Sequence, residues 1–395
     1  MSLLKSHLLV TLGYYASFTA LGLCLAVIGP TIPALAEQTH SPFSALGIIF
    51  TVREFGFILT ALQGAKLFDR FRGNLLMGVA LCVAGILFLL IPMLPWLWAL
   101  LICFFMLGTM AGFVDIGGNT LLVSIYHKRV APYMNGLHFF FGIGAFISPL
   151  IVAQVLQKSN SIQWAYWSIA FLILPIGVLM TRLPTPQHQA HTNIVVQAQS
   201  EKGMIILLAV LLGLYVGAEV GYGGWISTYA VMQKLSTTTA EAAVFASGYW
   251  GSFTVGRLMA IIAAVRIPSL YVIVGSFTGA FLCALIWLLF PSSLVVLWGV
   301  TLGFGFFTGP IFATIVSYTG ELMRLSARIA GLIFLGASFG AMCLPWLIGY
   351  LFPSLGAISL IVVIVIAMGL CLGVMGIIVN IHRRGIRLVE NEVTL

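Results

Sequence analysis

Twelve stretches of the chain are each long and apolar enough to cross a lipid bilayer as a helix, which takes about 20 residues. Hydrophobic residues make up 61% of the 395 residues and charged residues only 7%, against roughly a quarter in soluble domains. The sequence therefore predicts an all-α polytopic membrane protein with twelve transmembrane helices. We place the spans at 8–34, 43–66, 74–92, 97–122, 133–157, 163–181, 203–230, 242–264, 269–290, 293–316, 328–351 and 355–380.

Basic residues are distributed unevenly between the two sides of these spans. With both termini in the cytoplasm, fourteen of the eighteen Lys and Arg residues lie on the cytoplasmic side, and only Lys158 and Lys234 lie on the other. Cytoplasmic loops carry such an excess. The net charge of +8 follows from this topology, so we expect no nucleic-acid partner. The short loops indicate a bacterial inner membrane.

The second half of the chain repeats features of the first. LGTMAG at 107–112 and LGFGFF at 302–307 are 195 residues apart, and the same offset relates Gly136 to Gly331. These matches pair the fourth and fifth spans with the tenth and eleventh in one orientation, which indicates a parallel repeat. We therefore predict two pseudo-symmetric six-helix bundles. The predicted segments are an N-terminal bundle at 1–182, a cytoplasmic linker at 183–202 and a C-terminal bundle with a short cytoplasmic tail at 203–395.

The loop after the second span carries a family signature. GAKLFDRFRG, residues 64–73, resembles the cytoplasmic loop motif of the major facilitator superfamily, and GSFTVGR at 251–257 resembles a degenerate second copy. The resemblance extends over all twelve spans and implies a secondary transporter. In that family the motif aspartate latches the inner gate by pairing with basic groups and helix ends. The resemblance thus implies a cytoplasmic gate containing Gly64, Asp69, Arg70, Gly73 and Arg257.

Three further stretches are similar to one branch of that superfamily. VDIGGN at 114–119, NGLHFFFGIGAFISP at 135–149 and YVGAEVGYGGW at 215–225 resemble the fucose–proton symporters, a branch that includes sodium-dependent glucose transporters. The resemblance implies symport of a sugar with Na⁺ or H⁺ and no other cofactor. We expect a monomer in the lipid bilayer, with a small molecule, a sugar, as its partner.

Five charged side chains fall inside the predicted spans: Arg53, Glu54, Asp115, Glu219 and Arg257. Each costs at least ~2.5 kcal/mol to insert, so such residues normally face a cavity or a partner. This makes all five candidates for functional roles.

Glu219 lies near the middle of the seventh span and shares a helical face with Tyr215 and Tyr222. Glycines at 217, 221, 223 and 224 are expected to leave room for a substrate and to break the helix there. We predict that Glu219 couples an ion to the solute. The alternative is a buried ion pair between the halves, for instance with Arg53.

Asp115 and Asn119 lie four residues apart on one helical face. Together they can bind sugar hydroxyls or supply oxygens to Na⁺. In the fucose-symporter branch, an acidic residue four before an Asn in this span is tied to proton coupling and sugar binding. The resemblance implies ion coupling by Asp115 and substrate binding by Asn119, and the alternative is a structural contact of Asp115 to Arg257 or a helix end.

The remaining charged candidates have less specific patterns. Arg53 is predicted to contact the substrate or to belong to the gate. The alternative is that it neutralises Glu219 or Asp115. Glu54 is predicted to be its local counter-ion. Arg257 is expected to brace the cytoplasmic gate. His138 and Asn135 begin the fifth span. A lone histidine there is more often a packing residue than a proton carrier, but the resemblance carried by NGLHFFFG implies that His138 and Asn135 are substrate-binding candidates.

Aromatic and amide side chains complete the predicted substrate site. Sugars offer apolar C–H faces and hydroxyl rims, so their sites combine aromatic rings with polar groups. Further substrate candidates are Gln63, Tyr222, Trp225, Trp250 and Trp346.

The sequence predicts an ion-coupled sugar symporter that works by alternating access. Two alternatives stay open, namely a superfamily transporter of a drug, peptide or metal chelator, and a non-transporting receptor or scaffold. GASFG at 336–340 matches a hydrolase nucleophile pattern but lies inside a span without a strand-to-helix turn, so we expect no enzyme activity. No cysteine spacing suggests a metal site.

Overall fold

The structure is a computed structural model that describes residues 2–159, 161–186, 202–323 and 327–393. Within these ranges the chain forms fifteen α-helices and two 3₁₀ turns, without strands. The predicted linker at 183–202 lies mostly outside the described residues. The helices are α1 (Ser2–Ala26), α2 (Ile28–Gln38), α3 (Phe43–Leu46), α4 (Ile48–Arg70), α5 (Gly73–Leu90), α6 (Leu97–Tyr126), α7 (Ala131–Ser159), α8 (Ile162–Arg182), α9 (Lys202–Met232), α10 (Thr239–Ala263), α11 (Ser269–Leu289), α12 (Leu294–Thr308), α13 (Ile311–Leu322), α14 (Ala327–Leu355) and α15 (Ile358–Val393).

Eleven helical segments of the described chain have the length and apolarity of a membrane span. Each coincides with one of the twelve stretches predicted from sequence. The eighth stretch, α10, is not among the eleven, because its serine, threonine, glycine and tyrosine residues make it less apolar. It is nevertheless a 25-residue helix that packs along α7 and α12. A helix covered on two sides by protein needs less apolar surface than one that faces lipid.

Three of the spans are interrupted, but the seventh is not. The first span is split at Val27, the second at Gly47 and the tenth at Gly309. The prediction of a broken seventh span is wrong, since α9 is one continuous helix of 31 residues. Its glycines serve close packing instead: a Cβ on Gly217 would lie 2.6 Å from the Gly340 carbonyl oxygen of α14.

Helix contacts divide the described chain into two groups. Helices α1 and α4 to α8 pack with one another, and helices α9 to α15 do the same. The groups meet where α7 packs on α10, where α3 and α4 pack on α14, and where α2 packs on α9. We call them the N-terminal and C-terminal bundles.

The two bundles repeat the same close helix packing. A Cβ on Gly108 would lie 1.8 Å from the carbonyl oxygen of Arg53, and one on Gly305 would lie 2.6 Å from that of Tyr249. The predicted repeat is therefore visible in the packing of α4 on α6 and of α10 on α12. The offset between equivalent residues differs from the predicted 195 residues. Tyr249 follows Arg53 by 196 residues, and Gly305 follows Gly108 by 197.

The bundles touch closely at one end of their helices. We call this end, opposite the α8–α9 connection, the far face, and the other end the linker face. On the far-face side, a Cβ on Gly29 would lie 2.5 Å from the Gly223 carbonyl oxygen. The rings of Phe43 and Phe352 also meet there, 6.1 Å apart. These contacts close the far face between the bundles.

Candidate functional site

A small pocket lies between the bundles, just inside the far-face contacts. Four helical regions supply its walls: the α1–α2 break, α4, α9 and α10. Its volume is about 10 Å³, room for about one water molecule. The lining residues are Leu25, Ala26, Ile28, Phe50, Arg53, Val220, Gly223, Gly224 and Trp250.

The charged side chain of the pocket is Arg53, and its charge is already paired. Its guanidinium donates a hydrogen bond of 2.7 Å to the carboxylate of Glu54. Both residues are 7% exposed. Glu54 is therefore the counter-ion of Arg53, as predicted, and the alternative pairing of Arg53 with Glu219 is not formed.

Trp250 forms the opposite wall of the pocket. It is 3% exposed and packs edge-on against Tyr249 and Phe253, at 5.0 and 5.4 Å between ring centroids. Its indole Nε1 is buried without a hydrogen-bond partner among the described residues. The nitrogen lies beside the pocket residue Gly223, where an added Cβ would be 3.3 Å away. A buried donor without a partner is unusual and needs an explanation.

Glu219 lies inside the C-terminal bundle rather than on the pocket wall. Its carboxyl interacts with the Tyr215 hydroxyl and is within electrostatic range of Arg257. Tyr215 also donates a 2.9 Å hydrogen bond to the Thr308 carbonyl oxygen, and Tyr249 donates one of 3.3 Å to the Glu219 backbone. The glutamate is thus surrounded by hydroxyl groups and one arginine of its own bundle.

Asp115 and Asn119 are brought together, as predicted from their spacing. The Asn119 amide donates to the Asp115 carboxylate at 3.3 Å and to the Asp115 carbonyl oxygen at 2.8 Å. Glu54 is within electrostatic range of Asp115. Glu54 therefore links Asp115 to Arg53 electrostatically inside the N-terminal bundle.

Arg257 is held within the C-terminal bundle. It donates from Nε to the Gly309 carbonyl oxygen at 3.4 Å and lies 4.8 Å from the Phe253 ring centroid. His138 of α7 is within its electrostatic range and packs edge-on to Phe18 at 5.9 Å. Asn135, one turn earlier, is exposed.

Several predicted substrate residues lie outside the pocket. The Tyr222 hydroxyl is 2.8 Å from the Thr301 hydroxyl in the core of the C-terminal bundle. Trp225 donates to the Pro345 carbonyl oxygen at 2.8 Å. Trp346 is 38% exposed, and Gln63 is exposed toward the linker face. These placements favour packing or surface roles over direct contact with a solute in the pocket.

The predicted gate motif lies at the linker face, where α4 ends and α5 begins. Asp69 and Arg70 are exposed, and Arg70 lies 5.7 Å from the Phe71 ring centroid. A Cβ on Gly64 would lie 3.2 Å from Ile116 of α6, and one on Gly73 would lie 2.8 Å from Leu121. The motif glycines thus permit close approach of α6 to the α4–α5 turn.

Sequence reasoning missed Phe50, which lines the pocket, and Tyr249, which packs against the pocket residue Trp250. Phe50 is 2% exposed and packs against Trp225 across the bundle interface, 5.7 Å between ring centroids. Tyr249 supports the Trp250 ring. The 196-residue repeat could have found Tyr249, because it occupies the position equivalent to Arg53.

Two six-helix bundles that enclose buried charges define a multi-pass integral membrane protein of the transporter class. Residues 12–345 match the Major Facilitator Superfamily, and the chain belongs to that family. The prediction from the loop signature at 64–73 is confirmed.

Individual relatives and solved structures agree with this assignment. The chain is 29% identical to mouse sodium-dependent glucose transporter 1A, over 85% of this chain and 88% of the relative. It is 28% identical to human sodium-dependent glucose transporter 1, over 85% of this chain and 72% of the human protein. Its fold is similar to that of a D-xylose–proton symporter, with a TM-score of 0.72 and 14% sequence identity over 93% of this chain and 97% of the symporter. It is also similar to that of the nucleoside transporter NupG, with a TM-score of 0.74 and 12% identity over 95% of this chain and 99% of NupG.

Proposed function

We propose that this transporter moves a sugar by symport with Na⁺ or H⁺, by alternating access between the two bundles. Its similarity to sodium-dependent glucose transporters supports the sugar and the coupling ion. We further propose a bacterial inner membrane with cytoplasmic termini, which makes the linker face the cytoplasmic side. The far face is then closed to the outside in this arrangement.

The observation that carries ion coupling is the charge balance inside the membrane. Arg53 and Arg257 contribute two positive charges, and Glu54, Asp115 and Glu219 contribute three negative ones. Arg53 forms an ion pair with Glu54, and Arg257 is within electrostatic range of Glu219. One negative charge is left over, and an uncompensated charge at this depth is costly. A bound proton or Na⁺ removes that cost.

The position of the surplus charge points to Asp115 as the coupling residue, with Glu219 as the second candidate. Asp115 has a second carboxylate, Glu54, and an amide, Asn119, as neighbours. Binding of a cation there changes the charge next to the Arg53 pair on the pocket wall. An ion couples to a solute when it favours the state that also binds the solute.

The test uses purified protein in liposomes and measures hexose accumulation under an imposed Na⁺ gradient and, separately, a pH gradient. We expect one gradient to drive accumulation in the wild type. Asp115→Asn should abolish gradient-driven accumulation while hexose exchange between the two sides continues. Glu219→Gln, measured in the same way, shows whether the second carboxylate is also required.

Glu37→Gln is a matched control, because it makes the same chemical change at an exposed position on the far face. It should leave accumulation unchanged. Absence of hexose movement under either gradient contradicts the sugar proposal. Equal gradient-driven accumulation in the wild type, Asp115→Asn and Glu219→Gln contradicts ion coupling through these acids.

A further inference from the structure

We infer that Trp250 is a specificity-determining residue whose indole N–H donates a hydrogen bond to one hydroxyl group of the solute, opposite Arg53. The inference rests on the proposed function and deepens it, since it names the group that selects the solute. It starts from the buried Nε1 that has no partner among the described residues.

The two pocket residues Arg53 and Trp250 occupy neighbouring positions, one residue out of register, in the internal repeat. Tyr249 follows Arg53 by 196 residues, and Trp250 follows Glu54 by the same number. The N-terminal bundle therefore presents an ion pair where the C-terminal bundle presents two aromatic rings. A solute between the bundles meets a polar wall on one side and an aromatic wall on the other.

The charge of the pocket favours a neutral solute. Arg53 is neutralised by Glu54 at 2.7 Å, and Glu219 points into the C-terminal bundle toward Tyr215 and Arg257. A charged solute would have to compete with the existing ion pair. A neutral, hydroxyl-bearing solute needs only hydrogen-bond partners and an apolar surface, and the pocket offers both.

The unpaired indole N–H selects for a solute that places a hydrogen-bond acceptor next to it. A tryptophan ring combines a large apolar face with one donor that usually finds a partner when it is buried. The pocket beside it has room for about one water molecule, which is also the space that one hydroxyl group needs. We therefore assign one solute hydroxyl to the space between Trp250 and Arg53.

The experiment compares transport of a hexose with transport of analogues that each lack one hydroxyl group. In the wild type, loss of the hydroxyl that Trp250 binds should raise KM about 2- to 10-fold, the effect of one neutral hydrogen bond. Trp250→Phe keeps an aromatic ring but removes the donor. In this variant the ratio of the KM for that analogue to the KM for the hexose should fall to about 1. The KM ratios for analogues that lack other hydroxyl groups should stay as in the wild type.

Trp287→Phe is the matched control. The Trp287 indole is also fully buried, but it packs on Tyr222 and Tyr229 inside the C-terminal bundle and does not line the pocket. The same chemical change there should leave every KM ratio as in the wild type. A ratio that persists in Trp250→Phe overturns the inference and leaves the proposed function standing.

A second variant covers the case in which Trp250→Phe does not fold. In Gly223→Ala the new Cβ would lie 2.8 Å from Cζ2 of Trp250, so the indole must shift away from its present position. The KM ratio for the same analogue should decrease, and an unchanged ratio overturns the inference. If the wild type transports no hexose at all, the proposed function fails and this inference fails with it.

Discussion

Thr51 and Ser247 make equivalent hydrogen bonds across the bundle interface. Thr51 of α4 donates to the Met342 carbonyl oxygen of α14 at 3.1 Å, and Ser247 of α10 donates to that of Phe146 of α7 at 2.9 Å. Both the donors and the acceptors are separated by 196 residues in the chain. The two bonds are therefore related by the internal repeat, and they join the bundles on opposite sides of the pocket.

The first prediction is that these two bonds stabilise the closed far face equally. Each net hydrogen bond contributes about 0.5–1.5 kcal/mol, so Thr51→Val and Ser247→Ala should each raise the ratio of open to closed far face about 2- to 10-fold. The measurement is the rate at which a membrane-impermeant thiol reagent modifies a cysteine placed at Ala26, a buried pocket residue that already carries a Cβ.

A control for this prediction is Thr314→Val, because the Thr314 hydroxyl donates to the Pro310 carbonyl oxygen of its own helical turn and not across the bundle interface. It should not alter the labelling rate. Unchanged rates in both Thr51→Val and Ser247→Ala would show that the bonds do not hold the closed arrangement.

The second prediction concerns the glycine contact between α2 and α9. A Cβ on Gly29 would lie 2.5 Å from a backbone carbonyl oxygen, so Gly29→Ala cannot fit without separation of the helices. Overpacking of this kind costs about 1–3 kcal/mol. We expect a higher rate of thiol labelling at far-face positions and a lower rate of hexose uptake.

Gly299→Ala is the matched control for Gly29→Ala. It is also a glycine inside a helix, but a Cβ there meets nothing within 4 Å. Alanine is about 1 kcal/mol better than glycine in a helix, so the control should be neutral or slightly stabilising. Similar loss of uptake in both variants would argue against the far-face contact as the cause.

The sequence predicted the spans well because each depends on local composition. Every apolar stretch is helical, three of them as two consecutive helices, and most ends differ by only a few residues. The helix breaks depend on contacts that composition does not encode. Gly47 interrupts the second span where it meets Trp346 of the other bundle, whereas the glycine-rich α9 stays continuous because its glycines pack against neighbouring helices.

The candidate site was predictable only in part, for a similar reason. Helical spacing correctly grouped Asp115 with Asn119, and sequence adjacency suggested the Arg53–Glu54 pair. Spacing also grouped Glu219 with Tyr222, but it could not show that this face of α9 turns toward α12. The direction in which a helical face points is set by its packing partners.

The third prediction concerns the buried pair Arg53–Glu54. Removal of one partner leaves an unpaired buried charge, which costs about 3–5 kcal/mol. Arg53→Met and Glu54→Gln should therefore each lower the thermal unfolding temperature of the purified protein. The double variant should recover much of that loss, because it removes both charges, while hexose transport stays impaired. Additive destabilisation in the double variant would contradict the pairing.

The fourth prediction separates packing from solute binding at Tyr222. Its hydroxyl and that of Thr301 are 2.8 Å apart in the core of the C-terminal bundle, away from the pocket. Tyr222→Phe leaves the Thr301 hydroxyl buried without this partner, which costs about 1–3 kcal/mol, and Thr301→Val in the same chain should restore part of the stability. The KM for hexose should stay at the wild-type value in both proteins, because no pocket group has changed. Both expectations are checked by measuring thermal unfolding and transport kinetics on the same preparations. A raised KM without loss of stability in Tyr222→Phe would show that Tyr222 contacts the solute.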